Sequence, residues 1–242
     1  MKRALWLALA LAAAPAVASE NLPYSFKANT ANLASLQRGA RDFMAYCSGC
    51  HSLKYLRYNR IARDLAIPED LVQANLMINA DKLGDTIRTA MPAAEAEKWF
   101  GRTPPDLSLS ARERGADWIY SYLLSFYADP SRPRGVDNLV LPGVSMPHVL
   151  GELQGWQVKP EAKEGEDGHG EHHAAPLVLA QPGTMKPDEY KALVGDLTNF
   201  LVYAAEPGRN ARMATGVGVL LFMLVFSGLA YLLKAEYWKD VH

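Results

Sequence analysis

Cys47-Ser48-Gly49-Cys50-His51 is the stretch that decides how this chain is read. The spacing C-x-x-C-H is the attachment signal of a c-type haem: two thiols add to the two porphyrin vinyl groups, and the adjacent imidazole becomes the proximal iron ligand. The chain contains only 2 cysteines, both in this motif. A tetrahedral zinc site needs further thiols or a histidine pair at ligand spacing, and neither accompanies the motif. A redox dithiol shares C-x-x-C, but it does not need the histidine and follows a strand in a βαβ pattern. Nothing before Cys47 reads as a strand. One covalent haem c on Cys47 and Cys50, with His51 on the iron, is the expectation.

The 242 residues, with 25 basic and 26 acidic side chains, allow one ordinary domain plus extras. No nucleic-acid partner is expected. Residues 1–18 read as a signal peptide: Lys2 and Arg3 lead an apolar run from Ala4 to Ala14, and Ala16-Val17-Ala18 offers a small-x-small cleavage site. That run is shorter than the roughly 20 residues that cross a bilayer. Met213 to Leu233, in contrast, carries no charge and has the length to span the hydrocarbon core as a helix. Gly216, Gly218, Ser227 and Gly228 within it are small enough for another helix to approach closely in lipid. Arg209 and Arg212 precede the span, and Lys234 and Lys239 follow it, so charge alone does not orient it. Export of the body does. The expected layout is an exported haem domain at 19–208, an anchor at 209–234 and a cytoplasmic tail at 235–242.

The fold class expected is mainly α, a c-type haem domain with long irregular loops plus one C-terminal transmembrane helix. Helical spacing of Leu36, Ala40 and Phe43 predicts a helix from about Ser35 to Cys47, whose apolar stripe ends on the haem cysteine. Pro68 to Asp81 suits a short helix, and Thr86 to Phe100 another, interrupted at Met91-Pro92. Tyr55, Arg57, Tyr58, Asn59 and Arg60 read equally as a solvated face or as neighbours of the haem edge. GRTPPDLSLS at 101–110 is a rigid linker, and Asp106 or Ser110 is a candidate cap for a helix from about Ala111 to Tyr127. The Pro- and Gly-dense loop from Asp129 to Gly155 is long enough to be functional. Residues 159–173, KPEAKEGEDGHGEHH, read as a flexible, solvated acidic and His-rich insert; no ordered scaffold fixes His169, His172 and His173 for a metal. Pro187 to Glu206 is a helix with a continuous apolar face, and Pro207-Gly208 breaks it before the span.

The second axial ligand decides the chemistry. A thioether blocks the iron and raises its potential, whereas an open face admits ligands or catalysis. Met146, in LPGVSMP, lies in a loop able to close over a ring. Met91 stands at the end of an apparent helix, where packing explains it as well. The haem propionates need counter-charges. Arg112 is the first candidate and Arg114 its near rival, while the Trp118 indole N–H is a possible donor.

Taken together, CSGCH at 47–51, TPPDLS at 103–108, ARERGADWIYSYL at 111–123, LPGVSMP at 141–147 and FLVYAAEPGRNARM at 200–213 resemble the cytochrome c1 family. These motifs run into one terminal span and cover nearly the whole chain after residue 18. The resemblance implies His51 and Met146 as axial ligands, Pro105 packed on the haem and Arg112 on a propionate. It places Trp118 where an aromatic hydrogen-bond donor, often tyrosine, is found. It also implies a bacterial inner-membrane protein with its haem domain in the periplasm, held in a dimeric complex with cytochrome b and a Rieske iron-sulfur subunit. There the family takes one electron from the Rieske protein and passes it to a soluble or anchored c-type cytochrome. The stretch from Asp81 to Phe100 and the acidic insert depart from the longer mitochondrial forms. Two rivals remain at the level of sequence: an independent membrane-anchored carrier, and a haem enzyme with an open iron site.

Overall fold

Asn32 starts the first frame element, because its side-chain carbonyl accepts from the Ser35 N–H and satisfies an orphan donor of α1 (Leu33–Tyr46). The computed structural model describes residues 22–160 and 177–239. One face of α1 buries Leu36, Ala40 and Phe43, the expected stripe, and the helix runs directly into Cys47. Next come β1 (Leu53–Arg57), α2 (Tyr58–Asp64) and α3 (Glu69–Asn75). The helix expected to reach Asp81 therefore stops early. Asn75 turns its side chain onto the Leu71 carbonyl at 2.9 Å, and the chain folds back. The Leu83 and Asp85 carbonyls accept the N–H groups that open α2, from Asn59 at 2.7 Å and Tyr58 at 3.2 Å. That return places β2 (Thr86–Ile87) antiparallel to β1. The residues expected to begin a helix at Thr86 are thus a strand, and α4 (Ala93–Phe100) begins only after Pro92, ending on Gly101 at φ 74°.

The single helix expected from Ala111 to Tyr127 is two, α5 (Ser110–Glu113) and α6 (Ala116–Leu124). Gly115 between them sits at φ 88°, which a helix does not contain and an L side chain rarely adopts. Neither Asp106 nor Ser110 caps α5. The tail of the expected helix is instead β3 (Phe126–Ala128), antiparallel to β4 (Val136–Asn138). The Pro- and Gly-dense loop then gives α7 (Gly151–Gln154) and β5 (Gly155–Val158), which pairs with β6 (Val178–Pro182). The expected signal peptide, the insert from residue 161 onward and the last residues of the expected tail, 240–242, lie outside the described residues.

α8 (Pro187–Ala205) is the second frame element, buried without interruption from Leu193 to Ala205. It crosses α1 so closely that a Cβ on Gly39 would stand 2.7 Å from the Phe200 Cβ and 2.8 Å from the Asp196 carbonyl carbon. Phe43 and Phe200 rings meet at 5.7 Å in the same crossing. A polar clasp closes its edge: Asp196 accepts from Ser35 Oγ at 2.5 Å and from Arg38 Nε at 2.6 Å, and Asn199 donates to Ser35 Oγ at 2.8 Å. The class is mainly helical, as expected, with three two-stranded ribbons among the described residues that the sequence did not announce.

After the turn at Pro207-Gly208, α9 (Arg209–Tyr237) runs for 29 residues with a mean hydropathy of 2.3 over its most apolar window. At about 1.5 Å per residue it exceeds the roughly 30 Å of the hydrocarbon core. None of its side chains is buried by the rest of the chain. It fits a single-pass membrane anchor.

Candidate haem-binding site

The motif residues form one wall of a cleft whose other walls come from Pro104, Pro105, Ser145, Met146 and Pro147. The end of α1 builds that wall. Cys47 caps the helix through its N–H to the Phe43 carbonyl, and the N–H groups of Cys50 and His51 both reach back to the Cys47 carbonyl, at 3.0 and 2.8 Å. The loop therefore coils into a tight turn that presents Cys47, Cys50 and His51 to the same space. Thr89 Oγ1 holds it from outside by donating to the Gly49 carbonyl at 2.7 Å.

The two cysteines form no disulfide with each other, and burial raises both thiols, Cys47 to about 12. Redox dithiols work through the opposite shift, a lowered pKa that exposes a thiolate. His51 is buried, and burial lowers its pKa despite the Pro105 carbonyl and Asp106 pulling the other way. Its ring is neutral at pH 7, as a metal ligand must be. The Nδ1 lies 2.8 Å from the Pro105 carbonyl oxygen, which can only accept, so Nδ1 carries the proton and Nε2 keeps a lone pair able to hold a metal.

Pro105 is held in turn by a strap. The segment after Pro104-Pro105 runs beside β1: Leu107 N–H donates to the Ser52 carbonyl at 2.9 Å, Lys54 N–H to Asp106 Oδ2 at 2.9 Å, and Tyr55 N–H to Ser108 Oγ at 3.2 Å. What reads in sequence as a linker is a wall of the cleft, since Pro104 and Pro105 both face it. Asp106, expected as a helix cap, is the anchor of this strap.

Ser145, Met146 and Pro147 supply a further wall. Asp137 organises their loop. One carboxylate oxygen accepts the N–H groups of Asn138, Gly143 and Val144 at 2.9, 2.7 and 3.2 Å. Burial opposes its charge, yet those donors and the nearby Arg132 guanidinium hold it below the usual carboxylate range. Asn138, fully buried, accepts from Val140 and Leu141 and donates to the Tyr122 carbonyl at 2.8 Å. Behind the methionine, the Tyr122 hydroxyl lies 3.3 Å from Met146 Sδ. Burial pushes that phenol well above its ordinary value, so it stays a donor.

Cys47, Cys50, His51, Pro105 and Met146 thus line one cleft. Arg112 and Trp118 are not in its wall. Arg112 is exposed on α5, and Trp118 stacks on Tyr122 at 5.0 Å with the Arg114 guanidinium 5.4 Å from its ring. Met91 is half-buried outside the cleft. Arg102, Phe100, Tyr46 and Val149 are wall residues that sequence reasoning passed over. Arg102 had a signal, being a cation two residues before the proline pair. Tyr58 is buried in the core and Tyr55 is 64% exposed, and neither faces the cleft.

A cleft bearing paired thiols, a neutral imidazole with one ring nitrogen tied down and a thioether on another wall, on a body continuous with one helix long and apolar enough to span a membrane, fits a membrane-anchored c-type cytochrome. Comparison with known proteins narrows the class. The Cytochrome C1 family matches residues 24–241. The chain is 53% identical over 209 residues to a cytochrome c1 of Allochromatium vinosum, covering 86% of this chain and 85% of that one. It is 48% identical over 208 residues to a protein of Nitrosomonas europaea named as an ammonia monooxygenase gamma subunit, covering 86% and 84%. To a cytochrome c1 of Rhodospirillum rubrum it is 29% identical over 242 residues, covering 85% and 81%. The chain belongs to the cytochrome c1 family, carries one covalent haem c and is the electron-transfer subunit of a bc1 complex.

Proposed function

We propose that the chain takes one electron from a Rieske iron-sulfur protein and passes it to a soluble or anchored c-type cytochrome, making and breaking no substrate bond itself. The observation that carries this reading is the convergence of His51 and Met146 on the cleft that holds Cys47 and Cys50. When bound, the haem supplies a one-electron iron couple. The chain's own residues do the rest. His51 would hold iron through Nε2, with Pro105 fixing its tautomer and ring plane. Met146, on another wall of the cleft, would supply the second iron ligand and keep exogenous ligands out, which speaks against the open-site enzyme reading. Pro104 and Pro105 would keep water from one face and Arg102 would balance a propionate at the rim, with Arg112 and Trp118, outside the cleft wall, as outer contributors. The body, residues 19–208, lies in the periplasm after removal of residues 1–18. α9 crosses the bacterial inner membrane within a dimeric assembly that includes cytochrome b, leaving the residues after Lys234 on the cytoplasmic side.

The test is the absorption spectrum and potential of wild type and Met146→Ala, oxidised and reduced. Wild type shows the weak near-infrared sulfur-to-iron band; the variant loses it, its potential falls, and its ferrous form binds carbon monoxide. A wild type without the band, or a Met146→Ala variant that keeps it, removes Met146 from the iron. Mild-detergent co-purification with a cytochrome b and a Rieske protein separates the complex from an independent carrier, which is recovered alone.

A further inference from the structure

We infer that Tyr122 is a positioning residue for electron transfer: its hydroxyl donates to the Met146 sulfur and raises the reduction potential of the site. This rests on the reading of Met146 as the iron ligand. Tyr122 Oη is 3.3 Å from Met146 Sδ, and no other partner of that hydroxyl is present among the described residues. The geometry is held on three sides. The ring stacks on Trp118 at 5.0 Å with planes 7° apart, and meets the edge of Phe126 at 5.1 Å and 71°. The Tyr122 carbonyl accepts from Asn138, the same residue that shapes the loop bearing Met146. Tyr122 itself is buried and outside the cleft wall, so water does not compete for the sulfur from its side.

The chemistry follows from the two lone pairs of a thioether. One goes to iron, and the other is free to accept a hydrogen bond, weakly because sulfur is a weak acceptor. A donor on the second pair draws electron density from sulfur and weakens its donation to the metal. Ferric iron depends on that donation more than ferrous iron does. The bond therefore destabilises the oxidised state relative to the reduced one, which raises the potential. By the same linkage it makes the ferric iron–sulfur bond easier for an added ligand to displace.

The experiment uses the full haem-loaded chain in detergent, with Tyr122→Phe, which keeps the ring and its stacking and deletes only the hydroxyl. At a fixed ambient potential the ferric-to-ferrous ratio is expected to rise about threefold, equivalent to about 30 mV downward at 59 mV per decade for one electron. The near-infrared band persists, because Met146 stays on the iron. Imidazole titrated into the ferric protein binds about threefold more weakly. Tyr120→Phe, which deletes a hydroxyl on the same helix where the ring packs on Phe26 away from the cleft, leaves both readings within experimental error. A Tyr122→Phe protein that keeps the band but shows an unchanged potential and imidazole affinity overturns the inference while leaving Met146 as ligand. A wild type with no near-infrared band overturns both, and a shift of equal size in Tyr120→Phe removes the specificity of the Tyr122 hydroxyl and overturns the inference alone.

Discussion

Replacing Gly39 with alanine tests the frame on which the haem loop is built. The added methyl would stand 2.7 Å from the Phe200 Cβ and 2.8 Å from the Asp196 carbonyl carbon, whereas carbon atoms rest at about 3.5–4.0 Å. Both neighbours belong to α8, either as backbone or as the first side-chain atom, so no rotamer change relieves the contact. The helices must separate by about 1 Å, and a gap of that size forfeits a quarter to a half of each dispersion contact across the interface. Leu36, Ala40 and Phe43 on one side, with Leu197 and Phe200 on the other, lose packing together. Overpacking of a core usually costs about 1–3 kcal/mol, and the backbone clash puts this site at the upper end. Alanine's better helix propensity returns at most about 1 kcal/mol. The expected net loss is about 2 kcal/mol, which lowers the melting temperature of a domain of this size by about 4–8 °C. Haem-loaded protein, melted in detergent and followed by helical circular dichroism and haem absorption, gives the value. Gly84→Ala is the control, since its Cβ meets nothing within 4 Å. If Gly39→Ala melts within about 1 °C of wild type while Gly84→Ala behaves the same, the close crossing is not where stability resides, and the argument fails.

Three further outcomes follow from the same geometry. Asp137→Ala strips the acceptor from three backbone N–H groups and should cost about 2–4 kcal/mol, loosening the Met146 loop so that ferrous protein takes up carbon monoxide; an inert ferrous form counts against that role. Because the Asp137 pKa is lowered on folding, its stabilisation is complete above the ordinary carboxylate value of about 4 and is lost as pH falls through the folded value; an acid titration of the near-infrared band should fade there, and an Asp137→Asn protein should lack that limb. Gly155→Ala puts a Cβ at 2.5 Å from the Gly183 nitrogen, at φ 89°, so proteolysis of the β5–β6 hairpin should accelerate while the haem spectrum stays unchanged; equal cleavage rates would show the hairpin tolerates it.

How far the sequence could be read depended on the range of the forces involved. α1, α8 and α9 were legible because each carries its own apolar periodicity or run, a local property. Gly115 hid the break in the Ala111–Tyr127 helix, since glycine is tolerated within a helical pattern and only its φ of 88° reveals the turn. The short strands β1 to β4 have no independent signal; they exist because distant segments meet, as Thr86 and Ile87 meet β1. In the site, Cys47, Cys50, His51 and Met146 were singled out by chemistry written in adjacent residues. Arg102 and Tyr122 were not, because their places depend on how the strap and α6 pack. Asp137 was invisible for the same reason: nothing about one carboxylate in a loop announces that Asn138, Gly143 and Val144 will all turn their N–H groups to it.

The His51 and Met146 walls of the cleft are held by different means, and under the proposed ligation the difference bears on electron transfer. His51 is fixed by covalent neighbours, by the turn that closes α1 and by the Pro105 carbonyl, all within a segment strapped to β1. Met146 sits on irregular backbone with no helix of its own, so its position depends on buried polar side chains, Asp137 and Asn138, that act as a substitute for regular hydrogen bonding. A carrier that cycles one electron works best when its ligands move little between states, and a loop satisfied at its backbone groups resists movement as a helix does. The cost is sensitivity. Loss of Asp137 releases three backbone donors at once on the Met146 side, whereas loss of Asp106 on the His51 side releases two and leaves the backbone turn from Cys47 to His51 closed. Damage by mutation or acid should therefore reach the thioether before the imidazole, and the near-infrared band should fall before the haem's proximal ligation is disturbed.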